Sequence, residues 1–205
     1  MALAEIGLHP RFPAILWTAV QPDMNQLPPV ATILLVILVS IAGWIDIRSR
    51  RIPNWLTVAG VLAGFSLNGL LYGWPGVWFA LKGLGLALLI YLPFFALRGM
   101  GAGDVKLMGA VGALIGPWNW LGVFLLTGLL GGVIGLALAF SRGRVLATLA
   151  NVGYIMKELA CLRAPYLKRE DLDVANPDAL RLPHGAVIAL GAIGFVSAVK
   201  IWGAW

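Results

Sequence analysis

An all-α, polytopic membrane protein with about six transmembrane helices is what this sequence predicts. Hydrophobic residues make up 60% of the chain and charged residues only 12%, against roughly 45–50% and 25% in soluble domains. Apolar runs recur along its length, most of them close to the roughly 20 residues that a bilayer requires. Basic residues sit between those runs and form no tract, so the net charge of +6 points to membrane topology and not to nucleic acid. The lone cysteine, Cys161, excludes a disulfide framework and a tetrathiolate zinc site.

Each segment has its own justification. Residues 1–29 include a short apolar piece, FPAILWTAV, but carry Glu5 and Asp23 and are broken by prolines. They are read as an extramembrane or interfacial lead-in and not as a cleavable signal. Residues 30–205 form the membrane domain. Its first span, 30–45, is dense in Ile, Leu and Val and runs into the charged stretch DIRSRRIPN. The second is 55–72 and the third 76–97, with Pro93 expected to bend it. The fourth, 104–115, is short for a span at about 1.5 Å per residue, and GPWNW separates it from the fifth, 121–140. A polar stretch, 141–183, is read as a cytoplasmic loop, and 185–202 is the last span. The glycine pairs Gly60/Gly64, Gly112/Gly116, Gly128/Gly132 and Gly131/Gly135 have the spacing that lets helices approach closely in lipid.

Orientation follows from the basic residues. If the loop after the first span is cytoplasmic, Arg48, Arg50, Arg51, Arg98, Lys106, Arg142, Arg144, Lys157, Arg163, Lys168, Arg169 and Arg181 all lie inside. Only Arg11, Lys82 and Lys200 lie outside, which is a clear positive-inside bias. Tryptophans such as Trp44, Trp55, Trp74, Trp118 and Trp202 fall near the span ends, as an aromatic belt does.

That orientation singles out two carboxylates. Asp46 ends the first span and Asp104, in GMGAGDVKLMGAVG, begins the fourth, so both belong to the cytoplasmic boundary. Ionisable groups at membrane depth are functional candidates. Two carboxylates that meet share one proton. The ionised member can then take a proton from an attacking water while the protonated member donates to the carbonyl oxygen or leaving amine of a peptide. This chemistry requires no metal and no cofactor. Gly99, Gly101 and Gly103 leave the backbone free of side-chain bulk just before Asp104, so an extended substrate could approach closely or the loop could take up φ > 0. Asp104 is also well placed simply to cap its helix. Arg48, Arg50 and Arg51 read as headgroup anchors, Lys106 as a snorkelling charge, and Asn54 as a helix start. Glu170, Asp171, Asp173 and Asp178 could attract a basic peptide.

GAGD followed by VKLMGAVG resembles the GxGD signature of intramembrane aspartyl proteases. WIDIRSRRIPNWLT, at 44–57, resembles the first-aspartate region of type IV prepilin peptidases, and RLPHGAVIALG, at 181–191, resembles the element that opens their last helix. The resemblance implies an aspartyl endopeptidase with Asp46 and Asp104 catalytic and Gly101, Ala102 and Gly103 binding substrate. It implies a multi-pass protein of the bacterial inner membrane that removes the leader of prepilin or pseudopilin precursors at the cytoplasmic face. With no paired CxxC motifs, the chain is similar to the short Flp/Tad-type (CpaA/TadV-like) branch, without the cysteine-containing domain linked to methyl transfer. His184 stands where that resemblance would place an aromatic such as tyrosine. Two other classes compete: a transporter that relays protons or cations through the same aspartates, and a non-catalytic component of a secretion assembly.

Overall fold

The structure, a computed structural model, describes residues 26–96, 100–143, 145–160 and 183–202. Among these it is all helical: α1 (Pro29–Ser49), α2 (Asn54–Tyr72), α3 (Trp74–Ala96), α4 (Ala102–Ser141), α5 (Val145–Ala160) and α6 (His184–Trp202). All but α5 are long and apolar enough to cross a membrane. The protein is a polytopic all-α membrane protein.

Local chemistry sets the ends. Prolines precede three helices: Pro28 before α1, Pro53 before α2 and Pro183 before α6. Each lacks the N–H that a helix start leaves unbonded anyway. At its other end α1 stops when Arg50 turns left-handed (φ 53°) and donates its N–H to the Asp46 carbonyl at 2.8 Å. Ile52, before Pro53, is then steered away from helical angles. Between α2 and α3 the single residue Gly73 makes the reversal at φ 65°, an angle costly for any residue with a Cβ.

The 40 residues of α4 would span about 60 Å if straight, twice a bilayer's hydrocarbon core. They do not run straight. Gly116 has φ 73° and ψ 178°, with Pro117 next, and the chain folds back there. Trp120 Nε1 donates to the Met108 carbonyl at 3.0 Å, although twelve residues of straight helix would separate those positions by about 18 Å. The fourth and fifth expected spans are therefore the two arms of α4, 102–115 and 117–141, and the shortness of the fourth is the shortness of a folded arm.

Close glycine contacts fix the register. Gly83 on α3 meets the Gly112 backbone, and Gly64 on α2 lies where an added Cβ would come 2.6 Å from the Ala113 carbonyl carbon. Asn68, buried at the same crossing, donates to the Gly64 and Ala113 carbonyls at 2.9 and 3.0 Å. On the other arm, Phe195, Gly191 and Val187 of α6 face Gly122, Thr127 and Gly131 in reverse order. Gly43 of α1 sits against Ala186 and Ala189. Together these pairings gather the end of α1 and the starts of α2, α4 and α6 at one end of the bundle. Not every glycine pair is used: Gly128 and Gly132 have nothing within reach of an added Cβ. The stretch read as a polar loop carries a helix, α5, in its first part. The lead-in as far as residue 25, Cys161 and the acidic residues Glu170, Asp171, Asp173 and Asp178 lie outside the described residues.

Candidate active site

Asp46 reaches the bundle interior by helical periodicity. The buried stripe of α1 runs Leu35, Leu38, Val39, Ala42, Gly43, Asp46, the i, i+3, i+4 spacing of one face. The opposite stripe, Ile33, Ile37, Ile41 and Trp44, is exposed and ends with the Arg48 guanidinium 4.8 Å over the Trp44 ring. Both faces are apolar, so hydropathy alone could not tell which one carried the carboxylate inward. Asp46 is 7% exposed, and its Oδ2 accepts the Gly185 N–H at 2.8 Å. That N–H is one of those left unbonded at the start of α6. A residue far along the chain thus caps the last helix.

Asp104 stands half-buried in the first turn of α4, and its N–H donates to the Gly101 carbonyl at 3.1 Å. The glycines before it serve proximity and not left-handed angles: Gly101 has φ −75°. A Cβ on Gly101 would sit 3.2 Å from Asp104 Oδ2, and one on Gly103 3.1 Å from Ile52 Cβ. Ala102 is exposed between them, and Gly99 lies outside the described residues.

The two carboxylates share a neighbourhood: Gly103, next to Asp104, and Gly185, which donates to Asp46, both lie against Ile52. Ile52 joins their surroundings, since it contacts the backbone at Gly103 and stands 3.0 Å from where a Cβ on Gly185 would lie. Tyr91, 2% exposed on α3, faces the charge of Asp104, and His184 faces that of Asp46. Among the described residues no group of three or more His, Cys, Asp or Glu is placed to hold a metal ion. Two carboxyl groups thus stand on separate helix ends at the same end of the bundle, each beside a glycine: Gly185 for Asp46 and Gly101 for Asp104.

Several residues carry more than their sequence reading. Ile52 and Gly185 lie in the quoted stretches but reveal their role only through contacts across the chain. Tyr91 sits in an ordinary apolar run. Lys106 points away from Asp104, as its position two residues on requires, yet it is not simply a lipid-facing charge: its Nζ donates to Asn54 Oδ1 at 2.8 Å. That bond ties the start of α4 to the start of α2.

Residues 33–136, about half of the chain, match the type IV leader peptidase family. The chain is also 33% identical over 131 residues to a prepilin leader peptidase/N-methyltransferase of Xanthomonas campestris pv. campestris, an alignment covering 58% of this chain and 43% of that protein. It therefore spans less than half the length of the curated relative it matches. No solved structure matches the chain. The matched region contains both aspartates, Ile52 and the glycines before Asp104, and the chain belongs to the type IV leader peptidase family.

Proposed function

We propose that the chain is a prepilin leader peptidase, an aspartic-type endopeptidase that uses Asp46 and Asp104 as a dyad. The observation that carries this reading is that two sequence-distant carboxylates stand at one end of the bundle, Asp46 bonded to Gly185 and Asp104 next to Gly103, with Ile52 against both glycines. The pair holds one proton. The ionised member takes a proton from water as its oxygen bonds to the scissile carbonyl carbon. The protonated member gives its proton to the carbonyl oxygen, and collapse of the tetrahedral species breaks the C–N bond as the leaving amine is protonated. Gly101, Ala102 and Gly103 line the approach to Asp104 and let a peptide backbone lie against it.

The site end is the cytoplasmic end. Arg48, Arg50, Arg51, Lys106 and Arg142 gather there, while Lys200 lies at the far end of α6. The substrate is a precursor whose apolar helix lies in the bilayer of the bacterial inner membrane while its leader junction reaches that surface. The precursors in this reading are of the Flp/Tad type. A proton or cation pathway has less support, because the buried amides Asn68 and Asn119 donate to main-chain carbonyls.

Co-expression with a candidate prepilin tests this directly, by loss of the leader on a gel. Asp46→Asn and Asp104→Asn are each expected to lower processing by about 10²–10⁴-fold or more while leaving the protein in the membrane. Normal processing by either variant overturns the assignment.

A further inference from the structure

The apolar side of α5 is its exposed side. Leu146 is 85% exposed, Leu149 52% and Val152 51%, and their i, i+3, i+6 spacing sets them within about 120° of arc. Gly153 falls between Leu146 and Leu149 around the axis and adds no side chain to the stripe. Thr148, Asn151 and Tyr154, on the other side, are half-buried. A surface helix of a protein surrounded by water carries the reverse pattern, apolar residues in and polar ones out.

Position decides which solvent the stripe meets. The second arm of α4 returns to the end of the bundle where Asp46 and Asp104 stand. Its outward stripe of Leu129, Val133, Leu136 and Phe140 continues to one residue before its end. Only residues 142–144 then separate α4 from α5, at most about 14 Å of chain. Gly143 turns there at φ 63°, with its N–H on the Phe140 carbonyl at 3.0 Å. The exposed stripe of α5 therefore starts at the level where the lipid-facing stripe of α4 stops. Of the other described helices α5 packs only against α4. Its 16 residues measure about 24 Å, short of a hydrocarbon core of roughly 30 Å, so it cannot cross.

Charge selects the lipid. From residue 142 to the end of α5 the cations are Arg142, Arg144 and Lys157, against one anion, Glu158. Arg142 is exposed at the turn and Lys157 is exposed on the helix. Lys157 lies about 20° from Leu146 around the axis, on the edge of the apolar stripe, where a lysine stem can lie along apolar surface while its head reaches phosphate.

We propose that α5 is an in-plane helix seated in the anionic leaflet at the site end of the bundle. Leu146, Leu149 and Val152 enter the boundary of headgroups and acyl chains, and Arg142 and Lys157 meet lipid phosphates. The seat requires a bilayer around the bundle and stands whether or not the aspartates cleave a peptide.

The test uses the full-length chain with Cys161→Ser, one copy per nanodisc, and an environment-sensitive NBD label on a single introduced cysteine. In discs of phosphatidylglycerol and phosphatidylcholine, Leu149→Cys and Val152→Cys labels are expected to emit further to the blue than in water. Brominated acyl chains quench them and aqueous iodide does not, as for a Phe140→Cys label in the span. A Thr148→Cys label, on the half-buried side, responds less to bromine. Each cation is worth about five-fold in the ratio of seated to unseated helix. Discs of phosphatidylcholine alone, and Arg142→Gln with Lys157→Gln in anionic discs, are thus expected to raise iodide quenching at Leu149→Cys. The Phe140→Cys label stays unchanged in both, which shows the bundle intact. Stripe labels quenched by iodide in anionic discs overturn the proposal, because the face is then in water. Labels shielded from both quenchers also overturn it, because the chain itself then covers the stripe. Equal bromine quenching at Thr148→Cys and Leu149→Cys removes the proposed orientation, and equal seating in anionic and zwitterionic discs removes the anionic partner.

Discussion

The two arms of α4 have similar hydropathy and belong to one run of helical residues, yet they live in opposite surroundings. From Leu107 to Gly116 every residue of the first arm is buried. In the second arm Leu125, Leu129, Val133, Leu136 and Phe140 face outward, Leu125 at 67% and Phe140 at 79% exposure. The first arm is the central post of the bundle, enclosed by α2, α3 and its own returning arm. Its fourteen residues measure about 21 Å, too short for a span of its own, but its far tip is covered by Phe79 and the fold at Gly116 and has no need to reach the opposite surface. Asp104 sits on the near tip of this post. Asp104 is therefore carried at the end of an arm that is buried throughout from Leu107 to Gly116.

The fold at Gly116 is where this contrast can be broken most severely. At φ 73° and ψ 178° the backbone occupies a region nearly closed to residues with a Cβ, and an added Cβ would also run into the Phe79 ring. Gly116→Ala is expected to cost about 3 kcal/mol or more in reversible unfolding in detergent. Phe79→Ala in the same chain should relieve the clash and leave the backbone strain. If Gly116→Ala unfolds like the wild type, the arms are not folded on one another as described.

Next in size is a matched pair of glycine substitutions. A Cβ on Gly112 would meet the Gly83 carbonyl of the facing helix, and a backbone atom cannot rotate aside. Gly112→Ala should cost about 2 kcal/mol. Gly132, on the outer arm, has nothing within 4 Å, so Gly132→Ala should be neutral or stabilise by up to about 1 kcal/mol through helix propensity. An equal cost at both positions would mean that the outer face is covered in the membrane, and the difference between the arms would vanish.

These glycines show what the sequence could and could not disclose. The six apolar segments were legible from hydropathy because lipid demands length. The two aspartates were legible because charge at a span boundary is rare. Which glycines pack was not legible, since Gly112 and Gly132 sit in equally apolar surroundings and differ only in what lies across from them. The fold at Gly116 was half legible: GPWNW marks a break, but a break does not say whether the chain continues or reverses. Ile52, Gly185 and Tyr91 escaped because their importance is relational, and the pairing of Asp46 with Gly185 spans 139 residues. For Gly101 and Gly103 the sequence leaves open close approach or φ > 0; an added Cβ would crowd Asp104 and Ile52, and neither glycine is left-handed.

A smaller effect tests the reversal from inside. Trp120 stacks on Phe124 with centroids 5.4 Å apart, meets Tyr91 edge-on at 5.9 Å, and donates Nε1–H to the Met108 carbonyl. Trp120→Phe preserves an aromatic ring for both contacts and removes the donor. The expected cost is about 1 kcal/mol, read in the same unfolding experiment. No loss at all would indicate that the bond between the arms contributes nothing to holding the post upright.

The smallest effect is at the rim. Lys106 and Asn54 connect the starts of α4 and α2 through one hydrogen bond, in a place where water competes for both groups. The bond flanks the turn that carries Ile52 toward Gly103 and Gly185, so its loss should loosen one wall of the site without collapsing the bundle. Lys106→Met and Asn54→Leu are each expected to change stability by less than about 1 kcal/mol. The informative quantity is their coupling in a double-mutant cycle, expected at about 0.5 kcal/mol, with precursor processing reduced by less than about ten-fold in each variant. Strict additivity would return Lys106 to the role of a surface charge. A measurable coupling would make the lysine beside GAGD a strut between the exposed rim and the buried arm, and would explain why a cation close to the dyad is turned away from it.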